Sequence, residues 1–382
     1  MVKVLFDDVF FNLANSGVAR VWKSVFNEPS FKKTLLKNDI ELHILNRSDQ
    51  LINFGFPIID FPVFDKEHAA IDRLLIDEIV SQHDFQIFIS SYYTFSHNCK
   101  SVFVAYDFIP EQFNFEIANR TWSDRIIAIH AATNFLSISN STTSDLLRFY
   151  PWTKSSHVTT CNPGVDTELF HLSSSAKIEK FKSGHRLEEY FVFVGSREAP
   201  YKNSELIFKT LMKHHFDETF VFVGGSDFSQ KELSAASRKD NRVLQLNLDD
   251  AALVDCLSGS VGLIYPSLYE GFGIPPIEAL AMGVPVITTL NSSLSEAVGD
   301  LSCVISGRSS SQLAKALKFI RNPEHTSKIE AQGPEWAKQF SWASFSKSVV
   351  KAIVDCANTE DAAADARELV REFSLIAQRL IH

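Results

Sequence analysis

Short apolar runs alternate along this chain with longer amphipathic segments, and this alternation restricts the fold more than any other feature. In the first half, six apolar runs have the length and the β-branched and aromatic content of strands. They are VKVLF (2–6), ELHIL (41–45), FQIFIS (85–90), SVFVAYD (101–107), NFLSIS (134–139) and HVTTC (157–161). Helical patterns lie between several of them, at 17–26, 71–80 and 121–132. Such alternation predicts βαβ units around a parallel sheet.

The alternation lapses once and then starts again. The stretch HLSSSAKIEKFKSGHR (171–186) is polar and contains Ser and Gly, which favours an interdomain linker. Further strand-like runs follow it, separated by helical patterns, at 190–195, 219–225, 243–247, 261–266 and 285–290. We therefore predict an α/β protein with two doubly wound parallel-sheet domains, 1–178 and 179–357.

After residue 310 the pattern is helical to the end of the sequence. The last helix, at about 358–382, is long and amphipathic. We expect it to bury its apolar stripe against another part of the chain, as surface helices of globular proteins do. The stripe consists of Leu369, Phe373, Ile376 and Leu380.

Composition excludes some classes of partner. The formal net charge of −9 argues against an extended nucleic-acid surface, which needs clustered Lys and Arg. A basic stretch at Lys32, Lys33 and Lys37 leaves two alternatives open, a peripheral contact with an anionic membrane or an ordinary solvated helix face. No apolar run approaches the about 20 residues that span a bilayer. The opening MVKVLFDD is typical of a strand, and five scattered cysteines indicate reduced thiols, so we expect a cytoplasmic protein.

The stretch YEGFGIPPIEALAMGVPVI (269–287) follows directly after the strand-like run VGLIYP, where parallel sheets bind ligands. Gly271 and Gly273 permit close approach of the backbone, and two prolines suit the first turn of a following helix. Amides of such a loop attract an anion or a hydroxyl-rich ligand. Glu270 and Glu278 are either ligand contacts or structural groups, with Glu270 capping the loop and Glu278 complementing the dipole in the first turn of the helix.

A second polar segment follows the first strand of the second half. In VGSREAPYKN the strand ends at Gly195 and two cations follow, Arg197 and Lys202. Arginine binds phosphate oxygens in a bidentate manner and lysine neutralises them as a point charge, so the two residues suit a diphosphate. A solvated loop with two surface cations is the alternative.

The string E-G-F-G-x-P-x-x-E-A-x-A-x-G-x-P-V resembles the donor-site motif of the retaining family 4 glycosyltransferases, which have the GT-B fold. Its landmarks here are Glu270, Gly271, Phe272, Gly273, Pro275, Glu278, Ala279, Ala281, Gly283, Pro285 and Val286. The resemblance implies two Rossmann-like domains facing a cleft, the first for the acceptor and the second for a nucleotide sugar, with the final helices crossing back to the first. It also implies that Glu270 contacts hydroxyls of the donor sugar beside the amides of the Gly-Phe-Gly loop, and that Glu278 contacts the ribose.

Other segments resemble the same family more loosely. Arg197 and Lys202 match its G-R-x-x-x-x-K segment, which binds the donor pyrophosphate, although Ser196 here separates the glycine from the arginine. Gly17 in NSGVARVW matches the glycine loop that approaches the donor phosphates. The resemblance also places Ser292, on the loop before SLSEAVGD, near the diphosphate.

The chain departs from the family pattern at one position. Mannosyltransferase-type members carry His-Asp-x-x-Pro after the strand SVFVA, with the His beside the donor sugar, whereas this chain has Tyr106 and Asp107 there. A tyrosine with the ordinary pKa of about 10 cannot serve as a base at neutral pH. We therefore expect Tyr106 to hydrogen-bond or stack on the sugar, and Asp107 either to orient the acceptor or to cap the next turn.

The resemblance implies transfer of a hexose from GDP-mannose or a UDP-hexose to a hydroxyl of a glycan or lipid-linked glycan, with retained configuration and without a metal or other cofactor. Arg197 and Lys202 would stabilise the leaving diphosphate, Glu270 would hold the sugar, and Asp107 would serve the acceptor. The alternatives are a GT-B-fold epimerase or phosphorylase and a non-catalytic sugar-nucleotide-binding descendant. A Rossmann oxidoreductase is disfavoured because no G-x-G-x-x-G follows the first strand. The expected location is the cytoplasm, with the inner membrane face as an alternative, and the oligomeric state is left open.

Overall fold

The computed structural model describes residues 1–11, 17–48, 53–115 and 120–381. The strands are β1 (Val2–Asp7), β2 (Ile40–Asn46), β3 (Ile58–Asp60), β4 (Ile87–Ser90), β5 (Lys100–Ala105), β6 (Asn134–Ser137), β7 (Val158–Thr160), β8 (Tyr190–Val194), β9 (Thr219–Val223), β10 (Arg242–Leu246), β11 (Gly262–Tyr265), β12 (Val286–Thr288) and β13 (Cys303–Val304). The α-helices are α1 (Gly17–Asn27), α2 (Pro29–Lys37), α3 (Ala69–His83), α4 (Ile109–Gln112), α5 (Arg120–Ala131), α6 (Asn140–Phe149), α7 (Ser175–His185), α8 (Ser204–Leu211), α9 (Gln230–Ser237), α10 (Asp250–Ser258), α11 (Ile274–Ala281), α12 (Leu294–Val298), α13 (Ser310–Phe319), α14 (Pro323–Ala337), α15 (Trp342–Asn358) and α16 (Ala364–Ile381). Over the described ranges, none of these helices combines the length and the apolar character needed to cross a membrane.

The first compact unit, unit 1, combines Met1–Gly164 with the C-terminal segment Trp342–His382. Its sheet has the strand order β3-β2-β1-β4-β5-β6-β7, and all neighbouring strands are parallel. α15 packs on β5, β6 and β7, while α16 packs on α3 and α5. The central strands β4 and β5 are buried along almost their whole length, as expected for parallel strands that helices cover on both faces.

The second compact unit, unit 2, spans Val165–Ser341. Its sheet has the order β10-β9-β8-β11-β12-β13 and is also parallel. Phenylalanines of β8 and β9 pair across the two strands, and the ring centroids are 5.5 Å apart in both Phe191–Phe220 and Phe193–Phe222. These pairs are part of the core of unit 2, which accounts for some of the high phenylalanine content.

The prediction of a doubly wound α/β fold is confirmed by the two sheets, but the predicted linker at 171–186 is wrong. Residues Ser175–His185 form α7, which packs against α10. Phe181 is buried and Ile178 half-buried, so two apolar positions one helical turn apart hold a helix whose other residues are mostly polar. The units divide after Gly164 and after Ser341, whereas the boundaries expected from the sequence lay at 178 and 357.

The expected burial of the apolar stripe on α16 is also wrong. Leu369, Phe373 and Ile376 are 56%, 63% and 52% exposed. The helix packs on unit 1 through a different and more polar face that contains Arg367 and Ser374, both buried. Arg367 donates hydrogen bonds to backbone carbonyls of unit 1, and these bonds fix the orientation of the helix.

A buried charge cluster ties the carboxyl end of β1 to β2 and α3. The guanidinium of Arg47, directly after β2, donates to Asp7 at 2.7 and 2.9 Å and to Asp72 at 2.6 and 2.9 Å. The Arg47 amide donates to Asp8 at 2.8 Å, and the ring of Phe61 lies 4.7 Å from the guanidinium. Burial raises the pKa of Asp8 to about 7, and the charge of Asp7 adds to this shift, against the hydrogen bond from the Arg47 amide.

Asp8→Asn tests this cluster through the pH dependence of stability. A carboxyl whose pKa is raised on folding contributes stability at low pH that is lost as the pH rises toward the folded pKa. We therefore expect the free energy of unfolding of Asp8→Asn, relative to wild type, to rise by about 2–3 kcal/mol between pH 5 and pH 8 in urea titrations. The exposed Asp84→Asn, in the same unit, is the matched control. A pH-independent difference between Asp8→Asn and wild type would contradict the raised pKa.

Candidate functional site

Unit 2 has its topological switch point between β8 and β11. From β8 the sheet continues to β9 and β10 on one side, and from β11 to β12 and β13 on the other. Connections that leave neighbouring strands in opposite directions open a crevice outside their carboxyl ends, where α/β sheets bind ligands. The loops that follow Val194 and Tyr265, the last residues of β8 and β11, carry the candidate residues predicted in the second half of the sequence.

Lys202 and Glu270 meet at this switch point. The Lys202 ammonium donates to the two carboxylate oxygens of Glu270 at 2.8 and 3.1 Å, and to the Tyr265 hydroxyl at 2.8 Å. The side chains of Lys202 and Glu270 are 16% and 10% exposed, so the ion pair is mostly buried but a ligand can still reach it from solvent. Burial, and next the charge of Glu270, raise the pKa of Tyr265 well above its ordinary value, so this phenol stays protonated at neutral pH.

Backbone contacts hold the two loops of the switch point against each other. Asn203 adopts a left-handed conformation with φ 56°, which Asn tolerates better than most residues. Its side-chain amide donates to the carbonyls of Pro266 at 2.9 Å and Gly307 at 2.7 Å. The Leu268 amide donates to the Tyr201 carbonyl at 2.7 Å. The two loops that carry Lys202 and Glu270 are therefore held together by direct hydrogen bonds.

The backbone of Glu270 is held by two serines. The Glu270 amide donates to the Ser292 hydroxyl oxygen at 2.8 Å, and the Ser293 hydroxyl donates to the Glu270 carbonyl at 2.8 Å. Ser292 therefore supports the Glu270 loop, and its predicted contact with the diphosphate stays a prediction. These two bonds fix the backbone of Glu270 and so restrict the positions that its carboxylate can take.

The glycine-rich loop after Glu270 is anchored by its phenylalanine. Phe272 is buried, and its ring packs edge-on against Phe340 with centroids 5.4 Å apart. Gly273 directly precedes α11 with φ 100°, and a Cβ there would come within 2.8 Å of the Leu294 side chain. Glycine is therefore required at this position on two grounds, backbone conformation and space. Gly271 is buried in the same loop.

Glu278 lies deeper in α11 than the sequence suggested. The helix begins at Ile274, so Glu278 falls in its second turn, and the expected interaction with the dipole of the first turn is wrong. Glu278 is 2% exposed. Besides burial, the charges of Glu270 and of Glu278 both raise the pKa of Tyr265, which places both carboxylates near that hydroxyl. The two glutamates of the motif thus lie around one tyrosine.

Arg197 does not join the ion pair. Its guanidinium is turned toward α9, donates from Nε to Glu232 at 3.2 Å, and donates to the carbonyls of Gly224 at 3.3 Å and Ser226. The ring of Phe228 lies 4.4 Å from the guanidinium. The predicted pairing of Arg197 with the lysine at one diphosphate is therefore not what the structure shows.

The sequence departs from the family pattern next to this arginine. Ser196 takes the position directly after Gly195, where the family pattern has its arginine. Arg197 follows one residue further on and donates to Glu232 and to two backbone carbonyls. Because these acceptors satisfy its donors, the side chain is held by the protein itself.

A groove of about 1050 Å³ between α8 and α9 is a second candidate for a ligand site. Arg197 and Glu232 form part of its wall, whereas Lys202 and Glu270 do not line it. Two of its cations are already paired, Arg197 with Glu232 and Lys209 with Glu205 at 2.9 Å. Lys202 at the switch point is paired as well, so ion pairing does not rank the two sites. The switch point is favoured because α/β sheets bind ligands outside the carboxyl ends of their strands.

In unit 1, Tyr106 and Asp107, which replace the His-Asp of the family pattern, both have structural contacts. Tyr106 is 4% exposed and its hydroxyl accepts a hydrogen bond from the indole of Trp22. Burial raises its pKa well above the ordinary value. Because the phenol is buried and engaged, the predicted contact of Tyr106 with the sugar is not supported. Asp107 caps the next turn by accepting from the Ile109 amide at 3.0 Å, and its carbonyl accepts from Arg125 at 2.7 Å.

Gly17 is the first residue of α1. The residues before it, 12–16, contain most of the predicted glycine loop and lie outside the described residues. A Cβ on Gly17 would meet no described atom within 4 Å, so steric crowding does not explain a glycine there. Its predicted approach to the donor phosphates stays a prediction.

Tyr265 is a site residue that the sequence did not reveal. It is the last residue of β11, directly before the loop with Glu270, and it contacts Lys202. The available signal was a tyrosine at the carboxyl end of an otherwise aliphatic strand, the position where α/β sheets place functional groups. That signal was lost because an aromatic residue in a strand is most often a packing residue.

Comparison with solved structures identifies the class of the fold. Anabaena HepE in complex with UDP-glucose superimposes with a TM-score of 0.71 at 16% identity, covering 93% of this chain and 99% of HepE. Sucrose-phosphate synthase from Thermosynechococcus elongatus gives a TM-score of 0.69 at 15% identity, with coverage of 93% and 98%. The fold is that of the GT-B glycosyltransferases, and the prediction of this fold class is confirmed.

Sequence comparison finds a family match within unit 2 and relatives over part of the chain. Residues 175–336 match the model "Glycosyl transferases group 1". O-antigen chain mannosyltransferase B of Escherichia coli is 37% identical over 90 residues, which are 23% of this chain and 24% of that protein. The MMP alpha-(1->4)-mannosyltransferase of Mycolicibacterium hassiacum is 24% identical over 226 residues, 56% of this chain and 52% of that protein. The chain thus aligns with between a quarter and about half of the length of these relatives.

Arg197→Met tests the structural role that its contacts indicate. Removing the guanidinium takes one donor from Glu232 and one from each of two carbonyls, although Ser229 still donates to Glu232. We expect the free energy of unfolding to fall by about 2 kcal/mol in urea titrations. Lys209→Met, which breaks the exposed pair with Glu205, is the matched control and should cost no more than about 0.5 kcal/mol. Equal stabilities of the two variants would contradict the assignment.

Proposed function

We propose that this protein is a retaining glycosyltransferase that transfers a hexose from a nucleoside-diphosphate sugar to a hydroxyl of a glycan or lipid-linked glycan. The observation that carries the proposal is the contact between Lys202 and Glu270 at the switch point of unit 2. A cation beside a carboxylate at such a crevice suits a ligand that has both an anionic group and hydroxyls. The match of residues 175–336 to the group 1 model supports the same reaction class.

The donor is assigned to the switch point of unit 2. Lys202 would bind the diphosphate as a point charge, and Glu270 would accept hydrogen bonds from hydroxyls of the sugar. Glu278 would accept from the ribose, since a carboxylate can bond two vicinal hydroxyls at once. Tyr265, bonded to the lysine and near both carboxylates, is a positioning residue that holds the ion pair in place.

The reaction proposed is a front-face displacement. The acceptor hydroxyl attacks the anomeric carbon while the bond to the diphosphate breaks, and an oxygen of the leaving phosphate takes the proton of the hydroxyl. No enzymic nucleophile takes part, so the rate depends on positioning and on stabilisation of the charge that develops on the diphosphate. Lys202 would supply that stabilisation without a metal ion.

Unit 1 is assigned to the acceptor, and its basic helix α2 to a membrane surface. Asp107, just after β5, is proposed to orient the acceptor, and Gly17 is proposed to approach the donor phosphates. On α2, Leu36 is 70% exposed beside Lys32 and Lys33, which suits a peripheral contact with anionic lipid. The cytoplasmic face of a membrane is the proposed location.

The donor sugar proposed is mannose carried by GDP. The E. coli and M. hassiacum relatives are named mannosyltransferases, and O-antigen chain mannosyltransferase RfbU of Salmonella typhimurium is 31% identical over 130 residues. UDP-hexose is the alternative, since HepE was solved with UDP-glucose. Thermal-shift screening with GDP and UDP distinguishes the two, because a ligand of the native state raises its apparent stability.

Lys202→Met tests the diphosphate site. Loss of a charge-assisted hydrogen bond costs about 1.5–3 kcal/mol, so calorimetry should show the dissociation constant of the nucleoside diphosphate rising roughly 10- to 100-fold. Lys209→Met is the control and should bind as wild type does. Arg197→Met, measured at a temperature where it is folded, should also retain binding. A large loss of nucleoside diphosphate binding in Arg197→Met would show that Arg197 contributes to the diphosphate site.

Glu270→Gln tests transfer itself. The amide keeps the size of the side chain but removes the charge, and we expect kcat with donor and acceptor to fall by roughly 100-fold or more. Glu205→Gln, in an exposed ion pair of the same unit, is the control. Turnover of donor without any acceptor, to an epimer or a sugar phosphate, would favour the epimerase or phosphorylase alternative.

Chelation and product analysis test the two remaining parts of the mechanism. Transfer should persist in excess EDTA, because Lys202 and not a metal neutralises the leaving group. NMR of the product should show the same anomeric configuration as the donor. Loss of activity in EDTA that added Mg²⁺ restores, or an inverted product, would contradict the proposal.

A further inference from the structure

A pocket in unit 1 lies at the edge of the sheet where β6 and β7 begin. Thr133 directly precedes β6 and His157 directly precedes β7, and both line the pocket. Its volume is about 260 Å³. Because this is close to the lower end of the about 300–1,000 Å³ typical of ligand pockets, the pocket suits a single ring. The proposed transfer uses the opposite, carboxyl ends of the strands, so this pocket is a separate site.

The indole of Trp152 forms an exposed aromatic wall of this pocket. Trp152 is 52% exposed, although tryptophan is highly buried on average. Two neighbouring rings fix its position. The imidazole of His130 stacks on the indole with centroids 4.2 Å apart, and the ring of Tyr150 packs edge-on at 5.3 Å. A ring that is already held in place loses little freedom when a ligand packs on it, so the indole is preorganised for binding.

The charged groups of the pocket favour an anion. Lys154 and His157 line it, and within the described ranges neither side chain has a hydrogen bond or an ion pair. No carboxylate lines the pocket in the part of the chain that the structure describes, although the formal net charge of the chain is −9. Asp361, which accepts from the Thr133 hydroxyl at 3.2 Å, is already paired with Arg367. An unpaired lysine beside a pocket without carboxylates attracts a negatively charged ligand.

His130 contributes hydrogen bonding to the pocket and not charge. Burial lowers the pKa of His130, so its imidazole is neutral at neutral pH. The described residues offer this imidazole no hydrogen-bond partner. A neutral imidazole donates from one nitrogen and accepts at the other, which matches hydroxyl groups, since these also do both. The pocket therefore combines a ring surface, a group that bonds hydroxyls, and a cation.

We propose that this pocket binds a sugar ring that carries an anionic group, either a phosphate or a carboxylate. The apolar C–H face of the ring would pack on the indole of Trp152, and its hydroxyls would bond to His130. The anionic group would lie at Lys154. Ala363 and Ala366 also line the pocket, and their short side chains leave room for the ring. This inference does not depend on the reaction proposed above, because every residue that lines the pocket belongs to unit 1.

Saturation-transfer NMR on the full chain tests the pocket with four probes: mannose 6-phosphate, glucuronate, mannose and inorganic phosphate. One of the two anionic sugars should bind with a dissociation constant of about 0.1–1 mM, as expected for a single ring with few contacts. The tighter of the two identifies the anionic group. Mannose and inorganic phosphate should each bind about 10-fold more weakly or worse, because each lacks one of the two main contacts.

Two variants separate the ring contact from the charge contact. Trp152→Ala and Lys154→Met should each raise the dissociation constant of the tighter probe roughly 10-fold. Phe319→Ala is the control for the ring, because Phe319 is 50% exposed and its ring lies 5.1 Å from that of His325. Lys347→Met is the control for the charge, because Lys347 is an exposed lysine of unit 1 that pairs with no described residue. Both controls should bind the probe as wild type does.

Lys202→Met distinguishes this pocket from the switch point of unit 2. It should weaken the binding of a nucleoside diphosphate but leave the binding of the anionic sugar unchanged. Circular dichroism establishes that each variant is folded. The proposal is overturned if neither anionic sugar binds, if binding survives both Trp152→Ala and Lys154→Met, or if Lys202→Met abolishes it. Tighter binding of GMP that Trp152→Ala removes would assign the pocket to a nucleotide and would also overturn the proposal.

Discussion

The contact between Lys202 and Glu270 depends on the reversal of strand order between β8 and β11. These strands are neighbours in the sheet, although residues 195–261 separate them along the chain. Because the chain leaves them in opposite directions, the loops at their carboxyl ends face each other with no helix in between. Asn203 then ties one loop to the carbonyl of Pro266 in the other. A cation and a carboxylate that are far apart in sequence thereby become one site.

Much of the fold was predictable from the sequence because it rests on short-range patterns. The apolar runs and the helical spacing between them depend on which residues can be buried, and both sheets follow from them. The candidate residues Glu270, Gly273 and Glu278 were predictable for the same reason, since they lie close together in the sequence, in one loop and the helix that follows it. α7 was missed for the opposite reason. Only Ile178 and Phe181 mark its apolar side, and polar composition outweighed that signal.

What the sequence could not predict is the direction in which individual side chains point. Arg197 and Lys202 have the spacing of a diphosphate site, yet Arg197 turns toward Glu232, because that carboxylate and two carbonyls satisfy its donors. Tyr106 is directed into the core by its bond to Trp22. Burial of α16 failed as a prediction because amphipathic spacing reveals that a helix has an apolar face, but not which of its faces packs on the domain.

The central claim is that a nucleotide sugar binds at the switch point of unit 2, with its diphosphate at Lys202 and its sugar at Glu270. Hydrogen–deuterium exchange of the full chain with and without the tightest-binding nucleoside-diphosphate sugar tests this claim most directly. The account predicts that the ligand slows exchange in 195–203 and 266–278, the two loops of the switch point and most of α11. Protection confined to 204–212 and 226–238, the walls of the groove between α8 and α9, would contradict it.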